Sequence, residues 1–94
     1  MRDYEFTVIL PPEQKKEERK DLIEKIEGWV KKKGGGKVVE QEEWGKKSLA
    51  YPIKGEENGF YIRFDLELDE DKVEAFNNRV QLENKILRYL IVKK

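Results

Sequence analysis

From Asp3 to Leu10, hydrophobic and polar positions alternate. Tyr4, Phe6, Val8 and Leu10 fall on one side, and Glu5, Thr7 and Ile9 on the other. A period of two predicts a strand, and Ile9 predicts that its second face is partly covered. Pro11-Pro12 ends it, because proline has no N–H to offer a ladder. The period then lengthens. Leu22, Ile23, Ile26, Trp29 and Val30 recur at helical spacing and predict a helix from about Glu13 to Lys33. Gly28 lies inside it and is expected to mark a close approach to the sheet. Gly34-Gly35-Gly36 stops the helix, with Gly34 expected in the left-handed cap.

Lys37 to Trp44 reads as a second strand. Its apolar content is thin (Val38, Val39), and Glu40, Glu42 and Glu43 crowd its end, as suits a sheet edge that must not pair with other chains. Ser48 to Ile53 leads to a turn placed at Gly55-Glu56-Glu57-Asn58-Gly59. Phe60, Ile62, Phe64, Leu66 and Leu68 then alternate with Tyr61, Arg63, Asp65 and Glu67, the clearest strand in the chain. Asp69-Glu70-Asp71 opens a second helix with acids at its positive end. Val73, Phe76, Val80 and Leu82 supply its buried stripe. Ile86 to Val92 is the fourth strand.

Strand, helix, strand, strand, helix, strand is a split β-α-β order. It predicts an α+β, ferredoxin-like architecture: a four-stranded antiparallel sheet with two helices on one face. Right-handed crossovers put the first and third strands in the centre, and these are also the two most apolar. All 94 residues fit one domain, 1–94.

Composition narrows the chemistry. There is no cysteine and no histidine, so no disulfide, no thiolate nucleophile and none of the commonest metal ligand or general base. No apolar run approaches the roughly 20 residues of a membrane helix, and no hydrophobic signal segment opens the chain. A cytoplasmic setting with no membrane partner is expected. Charged residues make up 43% of the chain, yet Lys+Arg and Asp+Glu cancel at 20 each. Zero net charge argues against non-specific coating of nucleic acid but leaves room for a local basic patch. The density of Lys and Glu fits a heat-adapted protein or a designed or consensus surface.

No catalytic or metal site emerges. An acylphosphatase-like phosphate cradle needs a glycine loop that opens a helix, whereas Gly34-Gly35-Gly36 closes one. Alternation splits Glu42 from Glu43 across their strand, and Asp69-Glu70-Asp71 is accounted for by helix-terminal electrostatics. An RNA-recognition motif shares the element order, but Asn58-Gly59-Phe60-Tyr61-Ile62-Arg63-Phe64 lacks its leading basic residue. Alternation turns Phe60 and Phe64 inward and leaves Tyr61 alone on the outer face.

Four strings remain, in order. They are Met1-Arg2-x-Tyr4-Glu5, Trp44-Gly45-Lys46-Lys47-x-Leu49-Ala50-Tyr51-Pro52-Ile53-Lys54, Gly59-x-Tyr61 and Ile86-x-Arg88-Tyr89-x-x-Val92-Lys93. Together they resemble the bacterial small-subunit ribosomal protein S-six family over essentially the whole chain. The resemblance implies a ferredoxin-like fold, no enzyme activity, no cofactor and no small-molecule substrate. It implies binding to the central domain of small-subunit rRNA beside ribosomal protein S-eighteen. The free protein is expected to be a monomer. Position by position, it makes Arg2, Lys46, Lys47, Arg88 and Lys93 the RNA-binding residues. All five would neutralise phosphates, a contact that orients without reading sequence, and they are expected to gather on one flank. Tyr4, Tyr51 and Tyr89 are candidates for stacking or partner contact, the plain alternative being aromatics that cover the sheet. Ser48 departs from the family pattern, which more often has a basic or amide residue there. An engineered or consensus scaffold of the family, with no retained RNA function, has the same core and surface pattern and is the alternative reading.

Overall fold

Tyr4, Phe6, Val8 and Leu10 are all buried, and so are Ile62, Phe64, Leu66 and Leu68. These two alternating runs belong to β1 (Arg2–Leu10) and β3 (Glu56–Leu68), which lie side by side, antiparallel, at the centre of the sheet. The computed structural model describes residues 1–94. The other elements are α1 (Lys16–Lys32), β2 (Lys37–Ile53), a 3₁₀ turn over Glu70–Lys72, α2 (Val73–Gln81) and β4 (Arg88–Lys93). Strand order is β2-β3-β1-β4, all neighbours antiparallel. This is the expected ferredoxin-like layout.

The core lies between the sheet and the helices. Leu22, Ile23, Ile26, Trp29 and Val30 enter it from α1, Phe76 and Val80 from α2. Phe6 is the hub. Its ring centre is 5.3 Å from that of Phe76, edge-on, and 5.9 Å from those of Phe64 and Tyr89. Such edge-on and tilted aromatic contacts add to the simple gain of burial. Two cations cover the rim of this layer: Arg19 stacks 4.1 Å from the centre of half-buried Phe60, and Arg79 4.4 Å from that of Trp29.

The helix ends differ from expectation. α1 begins at Lys16 rather than Glu13, because the chain first closes a turn in which the Gln14 N–H donates to the Pro11 carbonyl. At the other end the Lys33 and Gly34 N–H groups both donate to the Trp29 carbonyl, and Gly35, not Gly34, is left-handed, with φ 64°. Gly36 is there for a different reason: a Cβ would stand 1.6 Å from the Glu67 carbonyl oxygen. Gly28 is not a packing glycine, since a Cβ there would meet nothing within 4 Å. Leu82 is 73% exposed and outside the core. α2 is too short to carry a third buried turn, and Ile86 fills that place from the following loop.

β2 is the largest revision. It does not stop near Trp44 but runs to Ile53, forming a long hairpin with β3 whose two-residue loop is Lys54-Gly55. Both loop residues have positive φ (51° and 84°), which suits the right-handed twist of a hairpin. The turn therefore lies ahead of the expected Gly55–Gly59, and Gly59 is a buried strand residue pressed against Ile9. Pairing with β3 shifts register between Val38 and Glu40, between Glu43 and Gly45, and between Ser48 and Ile53. In the last shift Leu49–Pro52 lie opposite Glu57 alone, so this stretch bows out as an arm.

Candidate nucleic-acid interface

The face of the sheet away from the helices carries the odd-numbered residues of β1 and β3 and the even-numbered residues of β4. Its two halves differ. Towards the start of β1, Arg63 sits between two carboxylates, with Nε 3.2 Å from Glu5 and Nη2 2.9 Å from Asp65. Lys94 reaches Asp65 at 2.6 Å and Lys37 reaches Glu67 at 3.8 Å. The hydrogen bond from Arg63 to Glu5, then the charge of Asp65, hold its guanidinium even more firmly protonated than usual, against the opposing effect of desolvation. This half is an ion-pair lattice with its charges already matched.

The other half is apolar. Thr7, Ile9, Trp44, Tyr61, Arg88, Tyr89 and Leu90 line a depression of about 450 Å³. Leu90 is 63% exposed, and Trp44 and Val92 are also open to solvent. Trp44 reaches this face at the register shift between Glu43 and Gly45, and its indole N–H donates to Glu42. The Lys47 ammonium lies 5.2 Å from the Trp44 ring centre. Across the depression the Arg88 Nη1 donates to the Tyr51 hydroxyl at 2.6 Å, and its guanidinium stands 5.5 Å from the Tyr51 ring centre. The bowed arm of β2 is thereby bent back towards β4. Cations held over aromatic faces beside open apolar surface are suited to bases, phosphates or a protein side chain.

The sequence profile of the family described as ribosomal protein S6 matches residues 3–93. The chain belongs to the ribosomal protein S6 family. Curated relatives agree over nearly their full lengths. A small ribosomal subunit protein bS6 of Caldanaerobacter subterraneus is 34% identical over 93 residues, covering 99% of this chain and 97% of the relative. That of Dictyoglomus turgidum is 35% identical over 91 residues, covering 97% and 93%. The crystal structure of 30S ribosomal protein S6 from Thermotoga maritima superposes with a TM-score of 0.91 at 26% identity, over 99% of this chain and 87% of that one. This is the fold and family that the four strings resembled.

In this ribosomal protein S6 family member the five expected cations do not share one flank. Arg2 and Lys93 pair across β1 with Leu68 and Tyr4, which places them on the helix side at the start of β1. Both reach Glu70, at 3.4 Å and 2.6 Å. Arg88 pairs with Ile9, seven positions along β1 from Arg2 and five from the partner of Lys93, and so roughly 23 Å and 16 Å away at about 3.3 Å per residue, on the opposite face. Lys46 and Lys47 are adjacent in a strand and therefore point to opposite sides. Lys46 faces the helix layer, 3.4 Å from Glu13, and Lys47 faces the open side. Sequence neighbourhood hid this, because the register across three strands decides which cations meet.

The tyrosines divide as well. Tyr4 is 6% exposed and belongs to the core, so the covering role describes it and stacking does not. Tyr89 lies on the helix side, half-buried, its hydroxyl donating to Asn77 at 2.6 Å while its ring packs on Phe6. Tyr51 is 56% exposed on the arm. The sequence reading gave Trp44, Ile9 and Leu90 no site role, although Trp44 heads one of the four strings and Ile9 predicted a partly covered second face. The signal was present in β4, whose outward positions Leu90 and Val92 are apolar where a solvated strand would be polar. No group of His, Cys, Asp and Glu is arranged to hold a metal ion, and no helix is long and apolar enough to cross a membrane.

Proposed function

We propose that this chain is a structural, non-catalytic protein of the small ribosomal subunit. It acts in the cytoplasm as one domain over residues 1–94, monomeric when free. It binds the central domain of small-subunit rRNA together with ribosomal protein S-eighteen, and orders an RNA junction during assembly. The observation that carries this reading is the full-length match to a ribosomal family. The open face fits it. The apolar depression at Ile9, Trp44, Tyr61 and Leu90 supplies the protein contact, since apolar surface of this kind is a docking feature when it is contiguous. Lys47 and Arg88 at its margins, with Lys46, Arg2 and Lys93, supply phosphate contacts. Net charge is zero, so long-range steering is weak. Affinity then depends on short-range contacts and on a basic partner sharing the electrostatic work.

The test is a filter-binding titration of central-domain RNA with and without S-eighteen. Affinity should rise when the partner is present. A titration unchanged by the partner removes the cooperative reading, and no RNA binding in either case removes the ribosomal role.

A further inference from the structure

Glu70 is the one residue that touches two of the expected phosphate-binding cations. Its Oε2 lies 2.6 Å from Lys93 Nζ and 3.4 Å from Arg2 Nε. The three side chains are each about half exposed, so an incoming anion has access to all of them. Glu70 is also held in place from behind. Asp69 donates its N–H to the Gly34 carbonyl at 2.9 Å and accepts the Asp71 N–H on Oδ1 at 3.1 Å, which fixes the 3₁₀ turn that carries Glu70. A carboxylate and a phosphate make the same charge-assisted hydrogen bonds to ammonium and guanidinium groups. A phosphate brought to this spot therefore competes with Glu70 for the same positive charge, even though Arg2 keeps its Nη donors and Lys93 its other N–H groups.

We propose that Glu70 is a built-in counter-ion, which neutralises Arg2 and Lys93 and competes with phosphate for them, so that this end of the protein engages RNA more weakly than two free cations would. The proposal rests on the phosphate-binding reading above and adds a regulation of it. The contrast with the open face supports it. Lys47 and Arg88 lie against aromatic rings and a hydroxyl, so no anion has to leave them. Phosphate therefore meets no internal competitor at Lys47 and Arg88 but meets Glu70 at Arg2 and Lys93. The arrangement weakens attachment of polyanions at that end.

The experiment compares wild type, Glu70→Gln, Arg2→Ala/Lys93→Ala and the triple combination, with Glu74→Gln as a control that removes one exposed negative charge without freeing either cation. The probes are inorganic polyphosphate and, separately, central-domain RNA, with fold checked by circular dichroism. Glu70→Gln should bind polyphosphate about threefold to tenfold more tightly than wild type, a range set by two exposed pairs. The gain should vanish in the Arg2→Ala/Lys93→Ala background and be absent in Glu74→Gln. Equal affinity of wild type and Glu70→Gln, including no binding by either, overturns the proposal, as does an equal gain in Glu74→Gln. A Glu70-specific gain on polyphosphate with no binding of RNA by any variant leaves the counter-ion standing and removes the ribosomal reading instead.

Discussion

The Arg88 guanidinium donates to the Tyr51 hydroxyl at 2.6 Å, joining β4 to an arm 37 residues earlier in the chain. Nothing else holds the arm so directly, because Leu49–Pro52 have left the regular pairing with β3. Tyr51→Phe keeps the ring and loses the bond. Its expected effect is local: faster amide exchange at residues 49–53, with global stability changed by no more than about 0.5 kcal/mol, as for an exposed contact. Unchanged exchange in the arm would mean that it is held by its own packing and not by Arg88.

Two glycines should respond in opposite directions. Gly28 faces open space inside α1, so Gly28→Ala should stabilise the fold by about 0.5–1 kcal/mol through helix propensity. At Gly36 the added methyl would stand 1.6 Å from a backbone oxygen of β3, and the strands must part to admit it. Gly36→Ala should cost about 3 kcal/mol, at the upper end of overpacking penalties. Urea unfolding measures both, and a destabilised Gly28→Ala would contradict the open space.

Lys54 is the only non-glycine residue with positive φ, at 51°. A β-carbon in that conformation crowds the following carbonyl, and asparagine tolerates it better because its short polar side chain can hydrogen-bond locally. Lys54→Asn should raise stability by about 0.5 kcal/mol, and Gly55→Ala should lower it by about 1 kcal/mol, since Gly55 also has positive φ. Thermal unfolding of the two variants gives the sign of each.

How much of this was legible depends on where the information resides. β1 and the buried stretch of β3 from Phe60 were read almost to the residue, because burial on one face imposes a period of two that no other element imitates, whereas the less buried start of β3 at Glu56 was taken for the turn. The α1 stripe was read for the same reason. β2 was cut short because an edge strand buries little: its burial carries no period, and only pairing with β3 defines it. Leu82 was placed inside because spacing alone cannot say where a helix stops. The site was legible as residue types and illegible as a place. Arg2 and Lys93 come together from opposite ends of the chain, while the neighbours Lys46 and Lys47 separate across the sheet.

The Glu70 carboxyl is held below its ordinary value of 4.5, chiefly by the hydrogen bond and charge of Lys93 and then by Arg2. A folded-state value below the unfolded one means that the stabilisation is complete above the unfolded value and is lost as pH falls through the folded one. The stability difference between wild type and Glu70→Gln should therefore be constant near neutrality and shrink towards zero as pH drops below about 4.5. Because the group is exposed, added salt should reduce the difference at every pH. A difference that grew on acidification would reverse the sign of the interaction.

The separation of the cations makes salt dependence a map of the RNA face. Each phosphate contact on a single strand contributes about 0.7 to the slope of log affinity against log salt. Lys47 and Arg88 share the open face, so Lys47→Ala/Arg88→Ala should flatten the slope by about 1.4 if both meet phosphates. Lys46 points the other way, towards Glu13. Adding Lys46→Ala flattens the slope further only if the RNA wraps the β2 edge and reaches both sides of the sheet. Titrations between about 50 and 200 mM salt resolve changes of this size. An unchanged slope in the double variant would move the RNA away from the open face and leave the depression at Trp44 and Leu90 to the protein partner alone.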